Sequence, residues 1–153
     1  MSWAGAWTFI NLVALLGWAA LILLPRRPIV HSLILYAGVG LLCLSYAAIF
    51  VLLIGHWADP GQVAGQPPAD LSDYSISGIR RLFGSDAGVV MGWTHYLAFD
   101  LFVGLWIGRD ADNKGFSRVV QAPVLLLTFL AGPLGLALWL LIRERRARRA
   151  ARA

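Results

Sequence analysis

Charge is what this chain has least of. Only 14% of its 153 residues are Asp, Glu, Lys or Arg, against 59% hydrophobic, and the mean hydropathy is +0.70. Ordinary water-soluble domains carry about 25% charged residues, so a soluble fold is excluded and the solvent is lipid. Cysteine is almost missing as well. Cys43 stands alone, which excludes an internal disulfide framework. One Cys and three scattered His also exclude zinc-finger spacing. No GxxxxGK[ST], GxGxxG or GxSxG string occurs, so the nucleotide-binding and serine-hydrolase fingerprints are absent. No internal repeat of solenoid or transporter-half length is visible.

The gaps between charges carry the architecture. Nothing is charged before Arg26, and between Arg27 and Asp59 the only ionisable candidates of that kind are His31 and His56. Between Asp86 and Arg109 stands Asp100 alone, and Val119 to Ile142 carries no charge. A hydrocarbon core of about 30 Å takes about 20 apolar residues as helix. The windows therefore predict four membrane spans, Trp3–Leu24, Ile29–Gly55, Gly88–Gly108 and Val119–Ile142, in an all-α four-helix bundle. The glycines and prolines inside them are tolerated in membrane helices. Residues 1–142 form one membrane domain, and 143–153 a basic tail. A cleaved signal peptide is disfavoured, because the N-terminus has no Lys or Arg and its apolar stretch is too long.

Pro25-Arg26-Arg27-Pro28 reads as a tight turn and Arg109–Arg118 as a short charged loop. Asp59–Pro68 is rich in Gly and Pro and should be irregular. In Asp70–Phe83, Ile76, Ile79, Leu82 and Phe83 fall at helical spacing with Arg80 and Arg81 opposite. Ser75 or Ser77 would cap this stretch and Gly84 would end it, giving a short amphipathic helix at the interface between spans two and three. With four spans, both termini and the 58–87 segment share one side. That side holds eight cationic residues against five, so the positive-inside rule puts both termini in the cytoplasm of a bacterial inner (plasma) membrane. The six tail arginines directly after a membrane helix point to anionic lipid heads rather than nucleic acid.

Asp100, near the middle of the third span, is the residue to explain. A carboxylate at that depth costs at least about 2.5 kcal/mol, and the neutral acid costs less. The reading is a proton donor facing inward, with Ser45, Tyr46 and Thr128 as partners by depth; the alternative is a structural hydrogen bond. His95, five residues earlier, lies about 140° round the helix and about 7.5 Å along it, so the two do not touch. Asp100 shares a stripe with Trp93 and Tyr96; His95 shares one with Phe99, Phe102 and Trp106. Depth counting assembles Asn11, Ser45, Tyr46, His95, Asp100 and Thr128 into one polar belt, although Ser, Thr and Tyr alone are explained by bonds within or between helices. Bis-histidine haem is disfavoured because His31 and His56 sit near opposite interfaces while His95 lies deeper. Two candidate ligands are too few for a metal site. The Gly84-xxx-Gly88-xxx-Gly92 and Gly104-xxx-Gly108 spacings permit close helix approach, inside the bundle or in a homo-oligomer.

Ser77-Gly78-Ile79 with Phe83, the run Trp93-Thr94-His95-Tyr96-Leu97 into Asp100-Leu101-Phe102, then Ala122-Pro123, Leu127-Thr128-Phe129 and Gly132-Pro133-Leu134-Gly135 resemble the abscisic-acid-deficient-four-like family. Its plant members are needed for neoxanthin synthesis in the chloroplast. The likeness covers the second half of the chain; the first half matches as two apolar spans. With no transit peptide and a short chain, this resembles a bacterial member, whose substrate the plant role does not fix. The resemblance implies a redox-neutral, cofactor-free isomerisation of a carotenoid or related isoprenoid. In it Asp100 is the acid at an epoxide oxygen and His95 the base at carbon, with Trp93, Tyr96, Phe99 and Trp106 shaping the polyene site and Asn11, Tyr46 and Thr128 beside it. Two other classes stay open: a non-enzymatic membrane protein that binds a lipid or pigment, and a small transporter or proton relay built on Asp100. The second lacks the repeats that transporters favour.

Overall fold

A computed structural model describes residues 2–25, 27–62, 65 and 72–150, with the backbone alone for 145–150. Arg26 of the expected tight turn, most of 63–71 and the last three residues of the tail lie outside the described residues. Among the described residues the architecture is all-helical, with six helices. They are α1 (Trp3–Leu23), α2 (Pro28–Ile54), α3 (Ile76–Leu82), α4 (Asp86–Asn113), α5 (Arg118–Leu130) and α6 (Gly132–Ala150). Three of them, α1, α2 and α4, are long and apolar enough to cross a membrane. At 1.5 Å per residue they measure roughly 30, 40 and 42 Å.

Each long helix starts where the chain supplies a cap. Ser2 accepts from the Gly5 N–H (3.2 Å) and Ser85 from the Gly88 N–H (3.1 Å), while Pro28 opens α2 at the position where a missing N–H costs nothing. α1 and α2 lie against α4, which is the hub of the bundle. Leu101 of α4, fully buried, fills the junction between Gly17 of α1 and Gly38 of α2. Around Gly38, residues Ile34–Gly40 widen into a π-helical turn. Trp18 of α1 reaches across to the bare backbone of Gly104. Large apolar side chains such as Leu12, Leu16, Leu33, Leu44 and Val51 stay exposed on the outside, as lipid-facing residues must.

The fourth expected span is different. The helix stops at Leu130, Ala131 takes φ −155° and ψ 74°, and α6 begins at Gly132. Had the helix run on, Phe116 and Trp139 would be about 35 Å apart along its axis; their ring centroids are 5.0 Å apart. The chain therefore doubles back. α5 and α6 form a helical hairpin whose tip lies against Asp100, halfway along α4, and whose open end returns to the end of α4. Pro133 supplies the reason. It has no N–H to bond and its ring excludes the carbonyl one turn earlier; Pro123 is accommodated inside α5, but Pro133 directly after Gly132 favours the break at Ala131.

The base of the hairpin is fastened at Asp110, near the end of α4. Asp110 pairs with Lys114 (2.6 Å) and Arg143 (3.1 Å), and the Trp139 indole donates to it (3.0 Å). The guanidinium of Arg118 donates to the carbonyl of Leu24 (2.9 Å), tying α5 to the turn between α1 and α2. This corrects the expected topology. Arg143 and the chain after it leave the bundle beside the α1–α2 and α4–α5 turns. Trp3, by contrast, donates to the Asp59 carbonyl (2.8 Å) at the other end. Trp3 and Arg143 therefore mark opposite ends of the bundle rather than one side.

The short helix between the second and third spans is present as α3. Ser75 caps it, accepting from the Gly78 N–H (3.1 Å), and the Phe83 ring lies over Gly92 of α4. Asp73 clasps it from outside: its carboxylate accepts from the Ser75 N–H (3.0 Å) and pairs with Arg81. The Ser75 hydroxyl and N–H, and after them Arg81, hold the Asp73 carboxyl below the usual carboxylate range. A carboxyl whose folded value is depressed contributes above its unfolded value, about 4, and that contribution goes as pH falls through the folded value. The Gly78 amide resonance is therefore expected to hold steady above about pH 4 and shift below it. Asp73→Asn should abolish that titration; a shift unchanged in the variant would disprove the clasp.

Candidate functional site

The expected site residues are held on three sides of the bundle. The first lies between α1 and α4. Trp93 stacks on Trp7 (5.6 Å between ring centroids) and on Tyr96 (5.5 Å), and its indole donates to the Asn11 carbonyl oxygen (3.1 Å). Asn11 donates in turn to the backbone of Trp7 (2.8 Å). The result is an aromatic ladder of stacked rings, partly exposed to the outside, with Trp93 and Asn11 matched to each other.

The second cluster lies between α2 and α4. His95 packs on Phe99 (4.5 Å) and on Tyr46 (5.9 Å), and Tyr46 stacks on Phe50. His95, Phe99 and Trp106 are all exposed on the outward face of α4. Trp106 also carries the Arg143 guanidinium over its ring, 5.5 Å from the centroid.

The third is the hairpin tip. Asp100 is buried, with 8% of its surface exposed. A side-chain carbon placed on Gly132 would come within 1.9 Å of its Oδ1, so the carboxyl occupies the space that any other residue at 132 would need. Tyr96 lies one turn earlier on α4. Oδ2 is fully enclosed and has no hydrogen-bond partner among the described residues. Thr128, fully buried, bonds to the Val124 carbonyl (2.8 Å) and packs under Gly135. Ser45 bonds to the Leu41 carbonyl (2.8 Å).

Asp100 thus faces the inside of the bundle, as its energetics require, but the partners expected from depth are engaged elsewhere. Thr128 and Ser45 satisfy their own helices, and Tyr46 serves His95. The single polar belt resolves into separate pairs, Asn11 with Trp93 and Tyr46 with His95. Helical phase separated His95 from Asp100, and the two indeed meet different elements, α2 and α6. Gly132 is the neighbour that sequence reading missed. Its signal was available: a glycine directly before a proline, inside a span, at the depth of an intramembrane acid. No group of three or more metal-ligating side chains occurs among the described residues.

The chain was compared with known proteins. The model of one family, described as ABA DEFICIENT 4-like, matches residues 5–139. No curated protein and no solved structure matches.

Proposed function

Because the chain belongs to the ABA DEFICIENT 4-like family, we propose that it binds a carotenoid or related isoprenoid on the outward face of α4 and isomerises it by acid–base chemistry. The observation that carries this reading is the enclosed, unpartnered Oδ2 of Asp100. A buried polar atom left without a bond destabilises the fold, and a ligand oxygen that reached it as the hairpin tip parts from α4 would supply the missing bond. Trp93, Tyr96, Phe99, Trp106 and His95 cover the exposed face of α4 in an arc that runs from Trp93 to His95, and Asp100 lies behind it under the hairpin tip. A polyene lying across this arc from the bilayer would meet aromatic rings along its length. Asn11, Tyr46 and Thr128 hold the walls in register.

In this reading Asp100 gives a proton to an oxygen of the ligand, directly or through the Tyr96 hydroxyl, and a neighbouring carbon loses one to His95. Electrons balance without any redox partner, because one proton is added and one removed. Purified protein incubated with hydroxylated or epoxidised carotenoids is expected to shift their absorption and to release an isomer of equal mass. Cells lacking the chain should lose that product. A bound pigment with a shifted spectrum and no new isomer would favour the second reading, a non-enzymatic pigment or lipid carrier. The assignment of His95 and Asp100 to different neighbouring helices already speaks for that alternative. No shift and no product with any isoprenoid would end both.

A further inference from the structure

The hairpin redistributes charge between the two ends of the molecule. At the end where α1 meets α2 and α4 meets α5 stand Arg27, Arg109, Lys114, Arg118 and Arg143. Lys114 and Arg143 share the single carboxylate of Asp110. Because α6 turns back, the chain from 144 onward leaves from this same end with five further arginines and one glutamate. By position in the sequence, eleven of the thirteen cationic residues belong here, against three acids. The other end has Arg80 and Arg81 against Asp59, Asp73 and Asp86, and Arg81 is already paired with Asp73. The bundle is a charge dipole along its long axis, positive at the C-terminal end and negative at the N-terminal end.

We propose that the basic end is a docking surface for the anionic phospholipid headgroups of the cytoplasmic leaflet. The tail and the two short turns then lie in the cytoplasm, and the N-terminus and the segment before α4 lie across the membrane. Counted over short loops and the residues next to the helix ends, Lys and Arg are retained on the side of synthesis. A four-span chain would have divided the cations eight to five. Three spans and a returning hairpin divide them eleven to two, and they reverse the side of the N-terminus. Basic side chains within a Debye length of an anionic surface are attracted to it. Trp106 beneath the Arg143 guanidinium sits where interfacial aromatics anchor a helix. The acidic far end has no comparable attraction for the same lipids.

Two measurements on the full chain test this. A green fluorescent protein fused after Ala153 is expected to fluoresce, and a short tag before Ser2 should be labelled by a membrane-impermeant reagent in intact cells. A dark C-terminal fusion, or an N-terminal tag labelled only after the cells are opened, overturns the orientation. Native mass spectrometry from micelles with equal phosphatidylglycerol and phosphatidylcholine is expected to retain the anionic lipid several-fold more. In the variant R145Q/R146Q/R148Q/R149Q, which leaves the bundle untouched, that preference should fall at least threefold. Equal retention of the two lipids, or a preference unchanged in the variant, overturns the docking surface. Neither readout depends on the pigment chemistry proposed above.

Discussion

Gly132→Ala is expected to lower stability by about 3 kcal/mol or more, the upper end of what forced overpacking costs. The new methyl carbon would stand 1.9 Å from Asp100 Oδ1 and 2.6 Å from its Cγ, far inside van der Waals contact. The carboxyl cannot swing away freely, since it is 8% exposed and enclosed by the hairpin tip. Relief requires the tip to lift from α4, although the hairpin base is held by Asp110 and by the Arg118 bond to the Leu24 carbonyl. The thermal midpoint of the detergent-solubilised protein measures the loss. The decisive control is the double variant D100A/G132A. Removing the carboxyl opens the space that the methyl needs, so the two changes should couple by about 2 kcal/mol and restore much of the midpoint. If the single variants add independently, Asp100 and the hairpin tip are not in contact as described.

The same contact explains where sequence reading stopped. Three spans were legible because each is a long apolar window, broken only by Asp100 in the third, with a start signal before it: the caps Ser2 and Ser85, and Pro28 in the first turn. The short helix α3 was legible because Ile76, Ile79, Leu82 and Phe83 repeat at helical spacing behind a serine. The fourth window was equally apolar, and hydropathy cannot distinguish a helix that crosses from one that enters and returns. Only Gly132-Pro133 distinguished them, and membrane helices tolerate both residues when a neighbour satisfies the freed backbone. Counting depth along straight helices then placed Thr128 beside Asp100 and both termini on one side. The site suffered for the same reason. Phase round a single helix correctly parted His95 from Asp100 and joined Trp93 to Tyr96, since both follow from 100° per residue. Which residue of another helix faces Asp100 depends on the reversal at Ala131, a tertiary fact that no periodicity carries. The Trp93–Asn11 bond was within reach of depth counting, since both lie a similar distance from the N-terminal end of parallel helices.

Asp100→Asn is expected to leave the bundle intact and to cut isomer formation by a hundredfold or more, within the roughly 10²–10⁴ that a positioned proton donor contributes. The amide is nearly isosteric with the neutral acid, so the gap above Gly132 stays filled and stability should change by less than about 1.5 kcal/mol, as volume-conserving changes do. What the amide lacks is a transferable proton. Tyr96→Phe separates the two routes for that proton. It keeps the stack on Trp93, because the ring remains, and removes only the hydroxyl one turn from Asp100. If the proton passes through Tyr96, this variant falls with Asp100→Asn; if Asp100 acts directly, it retains most of the activity. Pigment binding, read from the absorption shift, should survive in both, since the aromatic arc is unchanged. An Asp100→Asn protein that folds, binds and still converts pigment at the parent rate would remove Asp100 from the chemistry. Its role would then be that of the side chain that seats Gly132 and ends the hairpin against α4.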